Sequence, residues 1–161
     1  MTERPVTTIN VTYNVALVTI DKLPNDTRLI SDIFSALAKK NINIDMISQA
    51  PPYKGSISIS FSILSDDLVS ALSVVNTFKQ SVKNLRVEVD AGNTKLQVYG
   101  EGMRNLPGVA ARLFTLLADE GIEIKLVTTS EVDISYLIYE KDVDKAVDAI
   151  TKEFNLQSAL S

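Results

Sequence analysis

The sequence contains no cysteine and no histidine among its 161 residues. Without cysteine the chain has no disulfide, no thiol nucleophile and no thiolate metal site, and without histidine it lacks the commonest general base and metal ligand. The acidic residues are scattered, and the D-x-[DN]-x-[DN]-G calcium loop is missing. We therefore expect no metal and no cofactor, and an independent enzyme is disfavoured because no nucleophile, base and orienting group can be assembled.

The sequence also lacks a basic block and a long apolar run. Lys and Arg number 16 against 20 Asp and Glu, which gives a net charge of -4 at pH 7. This balance argues against a surface that must neutralise phosphates, so we expect no nucleic-acid partner. Because there is no apolar run of about 18 residues and no charged-then-apolar N-terminal segment, we expect no membrane span, no signal peptide and a cytoplasmic location.

Apolar periodicity predicts alternating strands and helices along the chain. Period-2 alternation predicts strands at Val6–Tyr13, Val15–Ile20, Ile42–Met46, Ile57–Ile63 and Leu85–Val89. Spacings of three and four predict one helix with Leu29, Ile30, Ile33, Phe34, Leu37 and Ala38 inward and a second with Leu68, Ala71, Leu72, Val75 and Phe78 inward. Asp21–Asp26 is predicted as the turn before the first helix, and Ser65-Asp66 as the cap of the second.

The pattern begins again near Thr94, with a period of about 80 residues. At this shift Val18 aligns with Val98 and Leu37 with Leu117. The second copy ends in a helix and has no fourth strand, whereas Val6–Tyr13 is an extra strand at the N-terminus. We predict that this strand completes the second sheet, because an open backbone edge is a liability. The last helix is predicted to turn inward Val143, Ala146, Val147, Ile150 and Phe154.

The predicted fold class is therefore α+β, with two ferredoxin-like βαββαβ modules. Each module has an antiparallel sheet with its helices on one face. Residues 14–91 form the first module, and residues 5–13 with 92–161 form the second, so the first is inserted in the second. Modules of roughly 75 residues bury only a modest core, and we expect side-by-side packing and a dimer.

In the stretch Gly100 to Phe114 a predicted strand ends, a glycine-rich turn follows, and Pro107-Gly108 opens an amphipathic helix. A dinucleotide fingerprint would need glycine where Asn105 stands, and the Gly-Lys-Ser/Thr of a phosphate loop is missing. Pro107 suits the first position of a helix, and Gly108 lets another group approach the backbone. The free N–H groups at such a helix start suit a small carboxylate.

Several segments resemble one family closely. VYGEGMRNLPGVAARLF, GIEIKLVTTSEVDISYLI and KAVDAITKEF resemble the second ACT domain of aspartate kinases, and NINIDMISQ with SISISFSI resembles the first. These enzymes phosphorylate aspartate to open the lysine, threonine and methionine pathway. The resemblance covers essentially the whole chain but includes no kinase domain, so it is to the C-terminal regulatory region, or to the regulatory subunit that some members make separately.

The resemblance implies a regulatory function without catalytic activity of its own. It implies a homodimer formed through ACT modules, an aspartate kinase catalytic domain or subunit as partner, and allosteric feedback by lysine and/or threonine. A free-standing ACT-type amino-acid sensor or adaptor without a kinase partner is the alternative.

In that family the effector lies between the helix-opening loop of one ACT module and the second strand of a facing module, often across the dimer. Carried over by motif position, the first module offers Asn25, Asp26, Thr27 and Arg28 in the loop and Asn43, Ile44, Asp45 and Gln49 in and near the strand. The second module offers Asn105, Pro107, Gly108, Val109 and Ala110 in the loop and Glu123, Ile124, Thr129, Ser130 and Glu131 in and after the strand.

The loop of the first module departs from the family pattern. Where members usually have Asp-Lys-Pro-Gly, this sequence has Asn25-Asp26-Thr27-Arg28, and Glu123 stands where members often have Asn. Asp26 or Thr27 is a good N-cap whose side-chain oxygen can occupy the helix N–H groups itself. Arg28 can instead supply a bidentate partner for an effector carboxylate.

Overall fold

A computed structural model describes residues 4–157 and resolves them into two compact units. The central unit is Asn14–Ala91. The terminal unit combines the described residues up to Tyr13 with those from Gly92 onward. In the described part of the chain, no helix is long and apolar enough to cross a membrane.

Six strands and four α-helices alternate along the described chain. In order they are β1 Thr8–Pro24, α1 Thr27–Lys39, β2 Ile47–Gln49, β3 Ser56–Leu64, α2 Leu68–Ser81, β4 Arg86–Tyr99, α3 Val109–Asp119, β5 Ile124–Thr129, β6 Asp133–Tyr139 and α4 Val143–Phe154. Short 3-10 turns precede three of the helices, at Ser65–Asp67, Glu101–Asn105 and Glu140–Asp142. The alternation and the antiparallel pairing confirm the predicted α+β fold class.

The central unit is built around β3. The later part of β1 pairs with β3 antiparallel, from Val15 opposite Leu64 to Pro24 opposite Ser56. On the other side of β3, the short β2 also pairs antiparallel and places Gln49 opposite Ile59. Alternate side chains of these strands and the inner faces of α1 and α2 bury one core, whose largest members include Ile20, Leu23, Ile33, Leu37 and Phe61.

The terminal unit repeats this plan around β6. β4 pairs with β6 antiparallel, with Tyr99 opposite Asp133, and β5 pairs with the other side of β6. The chain before and at the start of β1 lies beside the end of β4, since the Thr7 amide donates to the Tyr99 carbonyl at 2.8 Å. Val6 and Ile9 are buried in this unit's core.

The last helix follows its sequence pattern closely. All five predicted inward residues of α4 are buried: Val143, Ala146, Val147, Ile150 and Phe154. In α1 the apolar stripe is shifted from the predicted one, because Ala38 is exposed and Ala36 packs against the core instead.

Three strand and cap predictions were wrong in detail. The predicted turn Asp21–Asp26 is mostly strand, because β1 continues to Pro24 through an irregular register after Ile20. Ile42–Met46 is not a regular strand, since the Ser62 hydroxyl accepts from the Met46 amide at 2.9 Å and the ladder begins only at Ile47. Ser65-Asp66 forms a 3-10 turn, and no side chain caps α2.

Candidate functional site

The start of α1 is closed by its own side chain. The Asp26 carboxylate accepts hydrogen bonds from the backbone amides of Arg28 at 2.9 Å and Leu29 at 3.4 Å. The predicted cap at Asp26 is thus confirmed, and it occupies N–H groups that would otherwise be free. The backbone N–H of Asn25 donates to the Gly55 carbonyl at 3.0 Å and so connects this loop to the loop before β3. Thr27 and Arg28 are exposed.

The start of α3 is open by contrast. The helix begins at Val109 and not at Pro107 as predicted, because Gly108 adopts a left-handed conformation with φ of 89° and acts as the N-cap. Gly108 has no side chain to donate or accept, and no side chain forms a cap hydrogen bond here. A Cβ atom placed on Gly108 would meet nothing within 4 Å. The first-turn N–H groups of α3, at a positive helix end, therefore have no side-chain cap.

The two residues flanking this opening differ in burial. Val109 is buried in the core of the terminal unit, whereas Ala110 is exposed. Asn105 closes the preceding 3-10 turn and is also exposed. Among the predicted loop residues of this module, Val109 thus packs in the core and does not face solvent.

In the central unit the predicted strand residues lie at different positions along β3. Gln49 is opposite Ile59, midway between Ser56, the partner of Pro24, and Ser62. Asn43, Ile44 and Asp45 precede β2, and the Asp45 amide donates to the Ser62 carbonyl at 3.2 Å.

Along β3, Ser62 lies six positions after Ser56, the partner of Pro24. At a rise of about 3.3 Å per residue, the backbones of Ser56 and Ser62 are roughly 20 Å apart. Within the central unit the loop Asn25–Arg28 and the stretch Asn43–Asp45 are therefore not brought together.

In the terminal unit the predicted strand residues lie at the two ends of β5. Glu123 is exposed beside the start of β5, where Ile124 is opposite Ile138. Thr129 lies at the other end of β5, opposite Ile134, and leads into the turn at Ser130.

At that second end the structure does join two predicted groups. Glu131 forms an ion pair with Arg104, which lies one residue before Asn105. The Gly100 amide donates to the Val132 carbonyl at 2.8 Å. The glycine-rich turn and the turn after β5 are therefore neighbours, and both lie at the end of the sheet that precedes α3.

A network of charged and phenolic groups surrounds this junction. The Tyr99 hydroxyl donates to Glu101 at 2.6 Å, and Arg104 contacts the second oxygen of the same carboxylate at 3.4 Å. These two hydrogen bonds lower the pKa of Glu101. At the start of β6, the Asp133 carboxylate accepts hydrogen bonds from the Ser130 hydroxyl and from the Gln97 side chain of β4. Chiefly the first of these lowers the pKa of Asp133, while burial has the opposite effect.

Sequence reasoning did not select Tyr99, Glu101, Arg104 or Asp133. A signal for them was present in the sequence, because charged residues of opposite sign lie in the glycine-rich turn and in the turn after β5. However, the pairing of Arg104 with Glu131 spans 27 residues of chain and leaves no local periodicity. Among residues 4–157 no group of three or more Asp or Glu side chains is placed to hold a metal ion.

Comparison with known proteins gives the context for this arrangement. The ACT domain family matches residues 25–77 and 96–154. The aspartokinase of Bacillus sp. (strain MGA3) is 37% identical over 145 residues, which cover 90% of this chain and 35% of that protein. The aspartokinase of Geobacillus stearothermophilus is 39% identical over 142 residues, which cover 88% of this chain and 34% of that protein.

Solved structures of similar length agree. The regulatory subunit of aspartate kinase from Thermus thermophilus, in its ligand-free form, superposes with a TM-score of 0.85 at 25% identity and covers 94% of this chain and 99% of its own. A chain from the structure of aspartokinase alpha and beta subunits gives the same TM-score at 34% identity, with 94% and 99% coverage. This chain thus spans about a third of the curated aspartokinases that it matches, and the matching part is the regulatory one, without the catalytic domain. The chain belongs to the ACT domain family, in the form found in the regulatory region of aspartate kinases.

Proposed function

We propose that this chain controls an aspartate kinase by binding an end-product amino acid, lysine and/or threonine. The observation that carries the proposal is the match over 99% of the Thermus thermophilus protein, which is a regulatory subunit of aspartate kinase. Binding would act by favouring one of two arrangements of the modules, because a ligand shifts an equilibrium by its difference in affinity for the two states. The partner is an aspartate kinase catalytic domain or subunit.

We also propose that each compact unit is one ACT module, with the N-terminal strand completing the second. Residues 14–91 are then the first module and residues 5–13 with 92–161 the second. The contacts of Val6, Thr7 and Ile9 inside the terminal unit support this division.

The proposed effector site combines a helix-opening loop of one copy of the chain with the strand region of another copy. Inside one central unit, Asn43–Asp45 lie roughly 20 Å along β3 from the start of α1, so one unit cannot close both around an amino acid. A homodimer through the ACT modules brings a loop of one copy to the strand region of the other. Asp45 can then hold the effector's ammonium group, and backbone at Ile44 and the Gln49 amide can complete the recognition.

The edge strand of the central unit supports the homodimer. β2 has only three residues, all exposed, and its Ile47 side chain is 52% exposed. A strand edge with an exposed apolar side chain is a template for pairing with another chain. Burying it between two copies would remove both features from water.

Of the two loops, that of the terminal unit is the better carboxylate receptor. Asp26 already fills the helix start of α1, whereas Gly108 leaves that of α3 open. An effector carboxylate at α3 would gain the N–H groups and the helix dipole without displacing a carboxylate of the protein. Asn105, Pro107 and Ala110 border this opening. Thr129, Ser130 and Glu131, or Glu123 and Ile124 at the far end of β5, would meet the other end of an effector.

The first test is ligand-dependent stability. Lysine, threonine and methionine are added singly and in pairs to the chain, and melting temperature and heats of binding are recorded. A ligand at about 100 times its dissociation constant stabilises the folded state by roughly 2.7 kcal/mol. Failure of all three to bind would refute the sensor function. If an amino acid binds but the chain neither changes the activity of an aspartate kinase nor co-purifies with one, the chain is a free-standing sensor instead.

The second test separates the two loops. Gly108→Asn keeps the left-handed conformation, which Asn tolerates, but adds a side chain in the opening. We expect it to weaken effector binding more than Arg28→Ala, as measured by calorimetry. Gly92→Asn is the matched control, because Gly92 also has a positive φ with free space around it and lies away from the loop. A larger loss in Arg28→Ala would move the carboxylate site to the first module.

A further inference from the structure

A cavity of the central unit opens beside the end of β1, close to the start of α1. It has a volume of about 630 Å³ and lies beneath the loop between β2 and β3. Its walls come from the end of β1, the β2–β3 loop, the start of β3 and the turn between α2 and β4. The amino-acid site proposed above uses none of the residues that line it.

Three lysines line this cavity: Lys22, Lys54 and Lys83. Within residues 4–157 none of the three forms an ion pair, and Lys54 lies over the Tyr53 ring at 5.3 Å. The one carboxylate in the wall, Asp21, is paired with Arg86 at 3.3 Å. The cavity thus carries an excess of positive charge in a protein whose net charge is -4.

The backbone at the cavity is held in an uncommon conformation. Lys22, Lys54 and Asn84 all have positive φ, of 58°, 50° and 66°. A left-handed conformation costs a residue with a Cβ atom about 1–2 kcal/mol, and Gly or Asn adopts it more readily than Lys. Lys22 and Lys54 are exposed, so packing does not explain a lysine at either position. Lys54 and Gly55 are the central residues of a tight turn that hydrogen bonds between Tyr53 and Ser56 close, and Lys22 lies where the register of β1 shifts after Ile20, so these two local features fix where both lysines stand in the wall.

Neutral hydrogen-bonding groups complete the wall. Ser56 and Ser58 are both half-buried at the start of β3, and Asn84 contributes an amide. Hydroxyl and amide groups can donate to the oxygens of an anion that the ammonium groups attract. The cavity is open to solvent, and its volume is sufficient for a small molecule.

We propose that this cavity binds a small oxyanion with two or more negative charges, carried by phosphate or carboxylate groups. Lys22, Lys54 and Lys83 supply the charge, and Ser56, Ser58 and Asn84 supply donors. The site is linked to the start of α1, because Gly55 in its wall accepts the hydrogen bond from the Asn25 amide. An anion that orders this wall would therefore also steady the loop that precedes α1.

The test uses the full chain in a buffer free of phosphate and carboxylate. Pyrophosphate and citrate are titrated separately by calorimetry at about 50 mM and 200 mM salt, since screening weakens interactions between exposed charges. We expect at least one of them to bind, more weakly at the higher salt. Binding of pyrophosphate alone identifies phosphate groups, and binding of citrate alone identifies carboxylates. No heat from either anion would overturn the proposal.

Variants distinguish a site from diffuse charge. Lys22→Asn and Lys54→Asn each relieve the left-handed lysine, so the melting temperature should stay the same or rise while affinity falls about two- to fivefold. Lys83→Gln should cause a similar loss. Lys79→Gln is the matched control, because Lys79 lies exposed on α2 outside the cavity and its loss should leave affinity unchanged. Equal losses from Lys79→Gln and the cavity lysines would contradict the proposal.

Discussion

Replacing Gly100 by alanine should strongly destabilise the terminal unit. Gly100 has an extended backbone, with φ of -174°, which any residue can adopt. The difficulty is space: a Cβ atom at this position would lie 2.0 Å from the Pro5 carbonyl oxygen, 2.6 Å from its carbon and 2.8 Å from the Val6 Cα atom. All three are backbone atoms, so no flexible side chain can move aside. The N-terminal segment must shift by more than an ångström.

The size of the effect follows from what holds this segment. If strain is absorbed in place, overpacking costs about 1–3 kcal/mol. If the segment leaves, the unit loses the burial of Val6 and Ile9, worth about 1.5–3 kcal/mol each, and the Thr7–Tyr99 hydrogen bond, worth about 1 kcal/mol. We therefore expect a loss of roughly 3 kcal/mol, with about 7 kcal/mol as the upper limit.

Urea denaturation measures this loss, and hydrogen exchange at the Thr7 amide reports whether the segment has left β4. Gly108→Ala is the comparison, because Gly108 has free space and a φ of 89°, so its cost of about 1–2 kcal/mol is conformational. Asn should be milder than Ala at Gly108 but no milder than Ala at Gly100. The reasoning would be refuted if Gly100→Ala were as stable as the wild type. It would also be refuted if hydrogen-exchange protection of the Thr7 amide were unchanged and the loss of unfolding free energy were smaller than in Gly108→Ala.

Three further predictions concern single side chains. Asp26→Ala removes the cap of α1 and should lower the free energy of unfolding by about 1 kcal/mol, measured by urea denaturation, whereas Thr27→Ala should have little effect. Tyr136→Phe should leave the melting temperature unchanged or raise it, because the buried Tyr136 hydroxyl has no hydrogen-bond partner within the described residues and burial raises its pKa to about 12. A clear fall in melting temperature would mean that the hydroxyl is satisfied. The pKa of Asp133 is lowered in the folded state, so its contribution to stability is present above its unfolded pKa and is lost as pH falls through the folded value; Asp133→Asn should flatten the acid side of the stability curve, and an unchanged acid limb would contradict this.

Local patterns in the sequence were sufficient for the fold class, the repeat and the family. A helix buries every third or fourth residue, so the five inward positions of α4 could be named without knowing what they contact. The same holds for β3, where Ile and Phe alternate with Ser. The segment Gly100 to Phe114 identified the family because several of its residues serve one local turn and can be recognised together.

Strand limits and helix starts depended on contacts that are distant along the chain. β1 passes through the predicted turn because Leu23 and Pro24 find partners on β3, and Ile42–Met46 stays irregular because Ser62 takes the Met46 amide. Pro107 is suited to a first helical turn, yet the left-handed Gly108 delays α3 by two residues.

The candidate sites were decided by such contacts as well. The sequence indicated that Asp26 can cap α1 and that Gly108 offers an open backbone, and the structure established that the start of α1 is capped by a side chain and the start of α3 is not. It also revealed the close approach of Pro5 to Gly100 and the cavity lined by Lys22 and Lys54. The physical reason is that periodicity records which side of an element is buried, whereas spacing between backbone segments and the meeting of like charges arise only when residues far apart in the chain are packed together.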